Sequence, residues 1–287
     1  MKRIIATLYL FVLILATASL QAQTSTEIYV FDMLKTEEGY TVFNPVNISN
    51  NPGYDNQPSF ITERHLAYSR TRNGQTDIAI YDIEDASTKY LTETEGSEYS
   101  PTLTPTGNSL TSILLEKDGT QLLYEYDLGN GDGQVAIPAL KIGYHAWLSN
   151  HWMYAFVLGD SSNTLEEIDV QSGKIIRTIS SSIGRSLHRT PDDQYVSYIE
   201  IDEQGHRLFK INPSNKLPVL VTAIPFKKQD MIWLQDGTVL MGNDSKLHAW
   251  YNKEWVELID LASFELTGIS RMAVNSSNTK IAIVVNM

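Results

Sequence analysis

Ten side chains able to exchange protons, form ion pairs or donate hydrogen bonds stand just ahead of a recurring apolar segment. They are Asp55 and Asn56, Glu98 and Tyr99, Tyr144 and His145, Arg185, Lys228 and Asp230, and Arg271. Their types suit two kinds of chemistry. Paired carboxylates such as Asp55 and Glu98 can serve as acid and base on a glycosidic bond, with their separation setting the stereochemical course. His145 brought against Asp55 could activate water or take up a proton. The other kind is recognition without reaction. Arg185 or Arg271 can grip a carboxylate in bidentate geometry, and Tyr99, Tyr144 and the nearby Tyr54 offer rigid area with a polar tip. Asp55, Glu98 and Asp230 together could draw a hard cation onto their oxygens. Carboxylates facing water need no such ion, and no metal is expected.

Other chemistries are excluded or lack a motif. The chain has no cysteine, which removes disulfides, thiolate ligands and cysteine nucleophiles. Its six histidines include no His-Glu-x-x-His pair, and no aspartate-rich calcium loop is present. His65, His151 and His206 lie in turns and read as surface residues. Gly129-Asn130-Gly131-Asp132-Gly133 lacks the lysine and the strand–helix setting of a phosphate cradle. Gly159-Asp160-Ser161 sits in a polar hairpin rather than at a nucleophile elbow. A net charge of -12 argues against a nucleic-acid partner, since that role needs cations to replace released counterions. No cofactor is expected.

The elements that position these residues repeat. A short apolar strand, a polar turn and a second strand of small, β-branched or aromatic residues recur six times, as in Pro58-Ser59-Phe60 with Leu66-Ala67-Tyr68. The first apolar residues of the second strands fall at positions 66, 110, 153, 196, 239 and 281, at intervals of 42 to 44. Third strands keep step, ending in Asp82, Asp127, Asp169, Asn212 and Asn252, whose short side chains suit turns. Outer strands follow, such as Thr88–Leu91 and Lys174–Thr178. Four short antiparallel strands at this spacing make the blade of a β-propeller. The fold expected is therefore all-β, a six-bladed β-propeller of four-stranded antiparallel blades over residues 23–287. Trp147 and Trp233 fall on first strands and read as inter-blade core. Trp152 and Trp255 would be partner anchors if exposed.

The sixth repeat reaches Val285-Asn286-Met287 with only two strands, whereas Glu27–Asp32 has third-strand character and no partner before it. Gly39–Phe43 can supply an outermost strand. An N-terminal strand joining the C-terminal blade closes the ring and removes open sheet edges. Residues 1–22 carry two cations, an apolar run and small residues up to Ala22, the pattern of a cleaved signal peptide. The run is shorter than the ~20 residues a membrane span needs, and nothing later is long and apolar enough. The expected location is periplasmic or secreted, in a bacterium.

Pro58-Ser59-Phe60-Ile61-Thr62, Pro101-Thr102-Leu103-Thr104-Pro105-Thr106-Gly107 and Thr190-Pro191-Asp192-Asp193 resemble the Pro-Ser-Phe-Ser-Pro-Asp-Gly-like unit of the TolB-like, WD40-like PD40 propeller family. The resemblance covers nearly the whole chain after residue 22, with each copy degenerate. It implies a six-bladed propeller of the kind found in exported proteins, without TolB's own role, since no α/β domain precedes the repeats. In such a fold the connections into the first strands gather at one channel mouth, which brings the ten residues above together. The leading expectation is an exported scaffold that binds an envelope protein, peptide or glycan there. The alternative is a carbohydrate-active hydrolase or lyase using Asp55, Glu98 and His145. A third is the sensor part of a larger assembly.

Overall fold

Each second strand is apolar on both faces, and a strand so built must be covered from both sides. In the computed structural model that cover comes from neighbouring sheets. The structure describes residues 25–37, 39–212, 214 and 217–287. The expected signal peptide lies outside them. Six four-stranded antiparallel sheets stand around an axis as a β-propeller. The first strands, Asn56–Phe60, Ser97–Leu103, Ile142–Trp147, Ile183–Arg189, Met231–Trp233 and Thr267–Val274, run next to that axis. Among the described residues helix is confined to one short turn, Leu261–Phe264.

Six hydrophobic clusters occupy the six spaces between blades. The alternation of side chains along a strand explains how one sheet serves two of them. In the strand Lys280–Asn286, Ile281, Ile283 and Val285 pack toward the fifth blade, while Ala282 and Val284 pack toward the first. The strand Thr26–Thr36 divides in the same way: Phe31 and Met33 go one way, Ile28 and Val30 the other.

The ring closes as the repeats require. Thr26–Thr36 pairs antiparallel with Lys280–Asn286, Glu27 opposite Val285 and Phe31 opposite Ile281. The strand Gly39–Asn47 completes the blade on the outside. Polar clasps reinforce the seams. Glu63 of the first blade accepts hydrogen bonds from Asn275, Ser276 and Ser277 of the sixth. Asp236 of the fifth accepts from Lys35 Nζ and the Tyr40 hydroxyl at 2.7 and 2.8 Å.

The third-strand aspartates turn the chain as their position suggests. Asp82 Oδ1 accepts from the backbone N–H of Glu84 at 3.0 Å, and Asp127 Oδ1 from that of Gly129 at 2.8 Å. Asp169 and Asn212 do the same for Ser172 and Ser214. In the hairpin after Asp236, Gly237 takes a φ of 85°, a conformation that costs a residue without a Cβ little.

Candidate functional site

The axial strands are not regular. Pairing with the second strand slips between Asn56 and Ser59, Tyr99 and Thr102, Ile142 and Tyr144, Ile183 and Leu187, and Thr267 and Arg271. The extra residue of a bulge re-aims the side chains beside it. Gln57 and Ser100 sit in the first two bulges with left-handed backbone, φ 57° and 56°. Strain of this kind collects where a chain meets a ligand. Gln57 Oε1 ties the two together, accepting from Ser100 N at 2.9 Å and from Ser69 Oγ at 3.0 Å.

Register sets which predicted residues are equivalent from blade to blade. Asn56, Tyr99, Tyr144 and Arg271 stand opposite Ser69, Ile113, Phe156 and Val284, each three positions beyond its repeat anchor. By repeat phasing alone, Asp55, Glu98 and Tyr144 are roughly equivalent in sequence, which matches His145 with Asn56 and Tyr99. The structure matches Tyr144 with them, and a shift of one residue turns a side chain to the opposite face.

His145 accordingly packs toward the second blade, 6% exposed, its Nε2 2.6 Å from Thr111 Oγ1. Trp147 Nε1 donates to the same hydroxyl at 3.0 Å, so both residues serve the blade-to-blade joint. Burial drives the imidazole pKa down to about 3, and the ring is neutral at physiological pH.

The two carboxylates also lie in the walls. Asp55 is fully buried. It accepts from Asn51 Nδ2 at 3.0 Å and from Thr71 N at 3.2 Å, and its carbonyl accepts from Thr26 Oγ1 at 2.9 Å. It anchors the closing strand to the first blade, and burial raises its pKa to about 6. Asn56 assists through Nδ2, which donates to Thr26 Oγ1 at 3.2 Å. Glu98 is fully buried too, accepting from Thr94 Oγ1 at 2.5 Å and the Tyr126 hydroxyl at 3.3 Å. Its other oxygen has no partner, and burial lifts its pKa to about 7. Asp55, Asn56, Glu98 and His145 are all buried, and of the four only His145 borders the axial cavity.

The remaining residues do converge. Asp230 binds Arg185 through paired contacts of 3.1 and 2.6 Å and also forms an ion pair with Arg271, so one carboxylate bridges two guanidinium groups. Arg271 lies over the ring of Tyr144, 5.2 Å from its centroid. Burial first, and then the neighbouring Arg185, push the Arg271 pKa below its ordinary value. Tyr54 and Tyr99 meet edge to face at 6.1 Å, and burial raises the Tyr54 hydroxyl to about 12. Lys228 contributes its carbonyl, which accepts from His206 Nδ1 at 2.7 Å. His206 is therefore half-buried rather than a free surface residue.

Arg185, Asp230, Arg271 and Tyr144 line a cavity of about 480 Å³ along the axis, as does the buried His145, whereas Tyr99 and Lys228 are not part of its lining. Its walls come from all six first strands, with three arginines, Arg185, Arg189 and Arg271, against the single carboxylate of Asp230. The sequence reading missed Gln57, Ser100, His188 and Arg189 as cavity-lining positions. The available signal was that first strands continue along the axis beyond the mouth. His188 is half-buried, contacts Ser186 Oγ at 3.1 Å, and is driven down to about 4 by burial and by Arg271. Among the described residues no group of three or more His, Asp or Glu side chains could hold a metal ion.

Trp147 and Trp233 pack between blades as expected, Trp233 Nε1 donating to Ser197 Oγ at 2.8 Å. Trp255 is half-buried, packed beside Trp250 and Phe226, with its Nε1 donating to Ala223 O. Trp152 is half-buried as well, against the cluster between the third and fourth blades.

No family model matches the chain, and no curated protein does. Solved structures match in fold. A putative TolB from Agrobacterium tumefaciens aligns with TM-score 0.70 at 11% identity, over 93% of this chain and 99% of that one. TolB from Acinetobacter baumannii aligns with TM-score 0.58 at 12% identity, over 91% of this chain and 64% of that one. An oligogalacturonate lyase in complex with manganese aligns with TM-score 0.58 at 10% identity, over 93% and 98%. At such identities the likeness is one of architecture: the chain is a TolB-like propeller in fold.

Proposed function

We propose that this chain is an exported, PD40-type propeller scaffold of the bacterial envelope, periplasmic or secreted, that binds a protein, peptide or glycan at the mouth of its central cavity. The observation that carries the reading is the Arg185–Asp230–Arg271 bridge in an open, six-walled cavity that Tyr144 also lines, with the Tyr54–Tyr99 pair close by. Charged and aromatic side chains from blades remote in sequence are gathered there on a rigid frame. Such groups give orientation and specificity to a largely pre-formed concave site. Degenerate Pro58–Thr62 and Pro101–Gly107 units support the repeat assignment. No described helix is long and apolar enough to cross a membrane.

The rival reading, a hydrolase or lyase, has a propeller lyase among the fold neighbours in its favour. Against it weighs the burial of Asp55, Glu98 and His145, each committed to a joint in the wall. A capture experiment separates the two. The Tyr99→Ala, Arg185→Ala double variant should fold like the wild type by circular dichroism, because both side chains are half-exposed. It should also lose at least about tenfold in recovery of partners from envelope extract, the scale of one charge-assisted contact. Equal recovery by both proteins would remove the mouth as the binding site. Cleavage of uronate oligosaccharides by wild type but not by Glu98→Gln would favour the enzyme.

A further inference from the structure

Resting on the mouth as the binding site, we infer that its ligand is a peptide bearing a free C-terminal carboxylate, held by Arg185 and Arg271.

The argument starts from charge. The whole chain carries -12, yet the cavity walls hold three arginines and one carboxylate; Arg189 is paired with Asp193 outside the wall, which leaves Arg185 and Arg271 against Asp230 alone. Asp230 already meets both mouth arginines, which fixes their planes and leaves part of their positive charge uncompensated. Arg185 reaches Asp230 through Nε and Nη2, while its side chain stays 40% exposed, so donors remain for an incoming anion. Arg271, at 14% exposure, sits deeper and is braced on the face of Tyr144. Planar donors held in this way match a carboxylate better than a diffuse charge would.

The surroundings favour a peptide over an acidic sugar. Sugars are bound on open aromatic faces, and the tyrosines here are otherwise engaged. Tyr144 has Arg271 over one face and meets Phe156 edge to face at 5.6 Å. Tyr54 and Tyr99 are packed against each other. Beyond the charged rim the walls include Pro58, Pro101, Leu103 and Leu187, which suit apolar side chains next to a chain end. Capture of a C-terminal carboxylate by fixed donors is an established mode of peptide recognition.

The test uses a fluorescently labelled random hexapeptide pool, once with a free C-terminus and once amidated, against the intact protein by fluorescence anisotropy. The wild type should bind the free-acid pool at least about tenfold more tightly than the amide, the difference a lost ion pair makes. Arg185→Gln and Arg271→Lys should each bring that ratio toward one. The second variant keeps the charge, so Asp230 is not left alone in the wall. Equal binding of acid and amide by the wild type, a ratio unchanged in both variants, or tighter binding of an oligouronate or of palmitate than of the free-acid pool would each overturn the carboxy-terminal assignment. Envelope partners still lost from the Tyr99→Ala, Arg185→Ala variant would then show that the mouth binds something else, so the two failures can be told apart.

Discussion

At the scale of single residues, burial has separated groups that their chemistry would have placed together. Glu98 illustrates the consequence. Its carboxyl is raised from 4.5 to about 7 by burial, so the folded protein holds a proton that the unfolded chain releases. Between those two values the folded state binds more protons. Its stability therefore falls as pH rises from about 4.5 to about 7 and stays low above that. Asp55 adds a slope of the same sign from 3.8 to about 6. His145, depressed from 6.5 to about 3, contributes the opposite slope, its stabilisation being lost as pH falls. Glu98→Gln should thus be more stable than the wild type at pH 8, by about 1–3 kcal/mol for a relieved buried charge, and close to it at pH 4.5. Urea denaturation at both pH values measures this, and a difference that is the same at both would contradict the assignment. Residue types announced chemistry here, but not its direction. Asp55 and Glu98 looked like an acid–base pair because nothing in their sequence neighbourhood reveals that Asn51, Thr71 and Thr94 will enclose them.

At the scale of elements, the repeat anchors were legible because the second strands are buried on both faces and must be apolar throughout. The bulges in the first strands were not. They leave no periodic trace, and in the third blade the slip between Ile142 and Tyr144 sets Tyr144, rather than His145, level with Tyr99. The bulge of the second blade also holds its own test. Ser100 has a left-handed φ of 56°, and its buried hydroxyl has no hydrogen-bond partner. Glycine removes the Cβ clash and the stranded oxygen together. Ser100→Gly should therefore stabilise the protein by about 1 kcal/mol, whereas an ordinary strand residue would lose stability on the same change. Differential scanning calorimetry distinguishes the two, and a lowered Tm would argue that the bulge is not strained.

At the scale of the whole molecule, closure of the ring was legible from two incomplete ends, and the register of Glu27 with Val285 agrees with it. The charge inside the ring was harder to foresee, because Arg185, Arg189 and Arg271 are scattered in a chain whose overall sign is opposite. Closure depends on Phe31, fully buried between the fifth and sixth blades and edge to face with Phe264 at 5.7 Å. Phe31→Ala should cost about 3–5 kcal/mol by chemical denaturation, while Ile176→Ala, on an outer strand and 51% exposed, should change stability by less than about 0.5 kcal/mol. A small loss at Phe31 would mean that the ring stands without its clasp.

The same clasp sets an order of events during synthesis. Ile28 finds its partner, Val284, only after more than two hundred intervening residues have left the ribosome. Until then the first blade has no neighbour on one flank, and Leu66 and Tyr68 lack the wall that Ala282 and Val284 later supply. Pairings so remote in the chain form late and leave sticky intermediates behind them. A nascent chain that cannot finish its ring early stays pliable for longer, its first and sixth blades waiting on the last strand to be made.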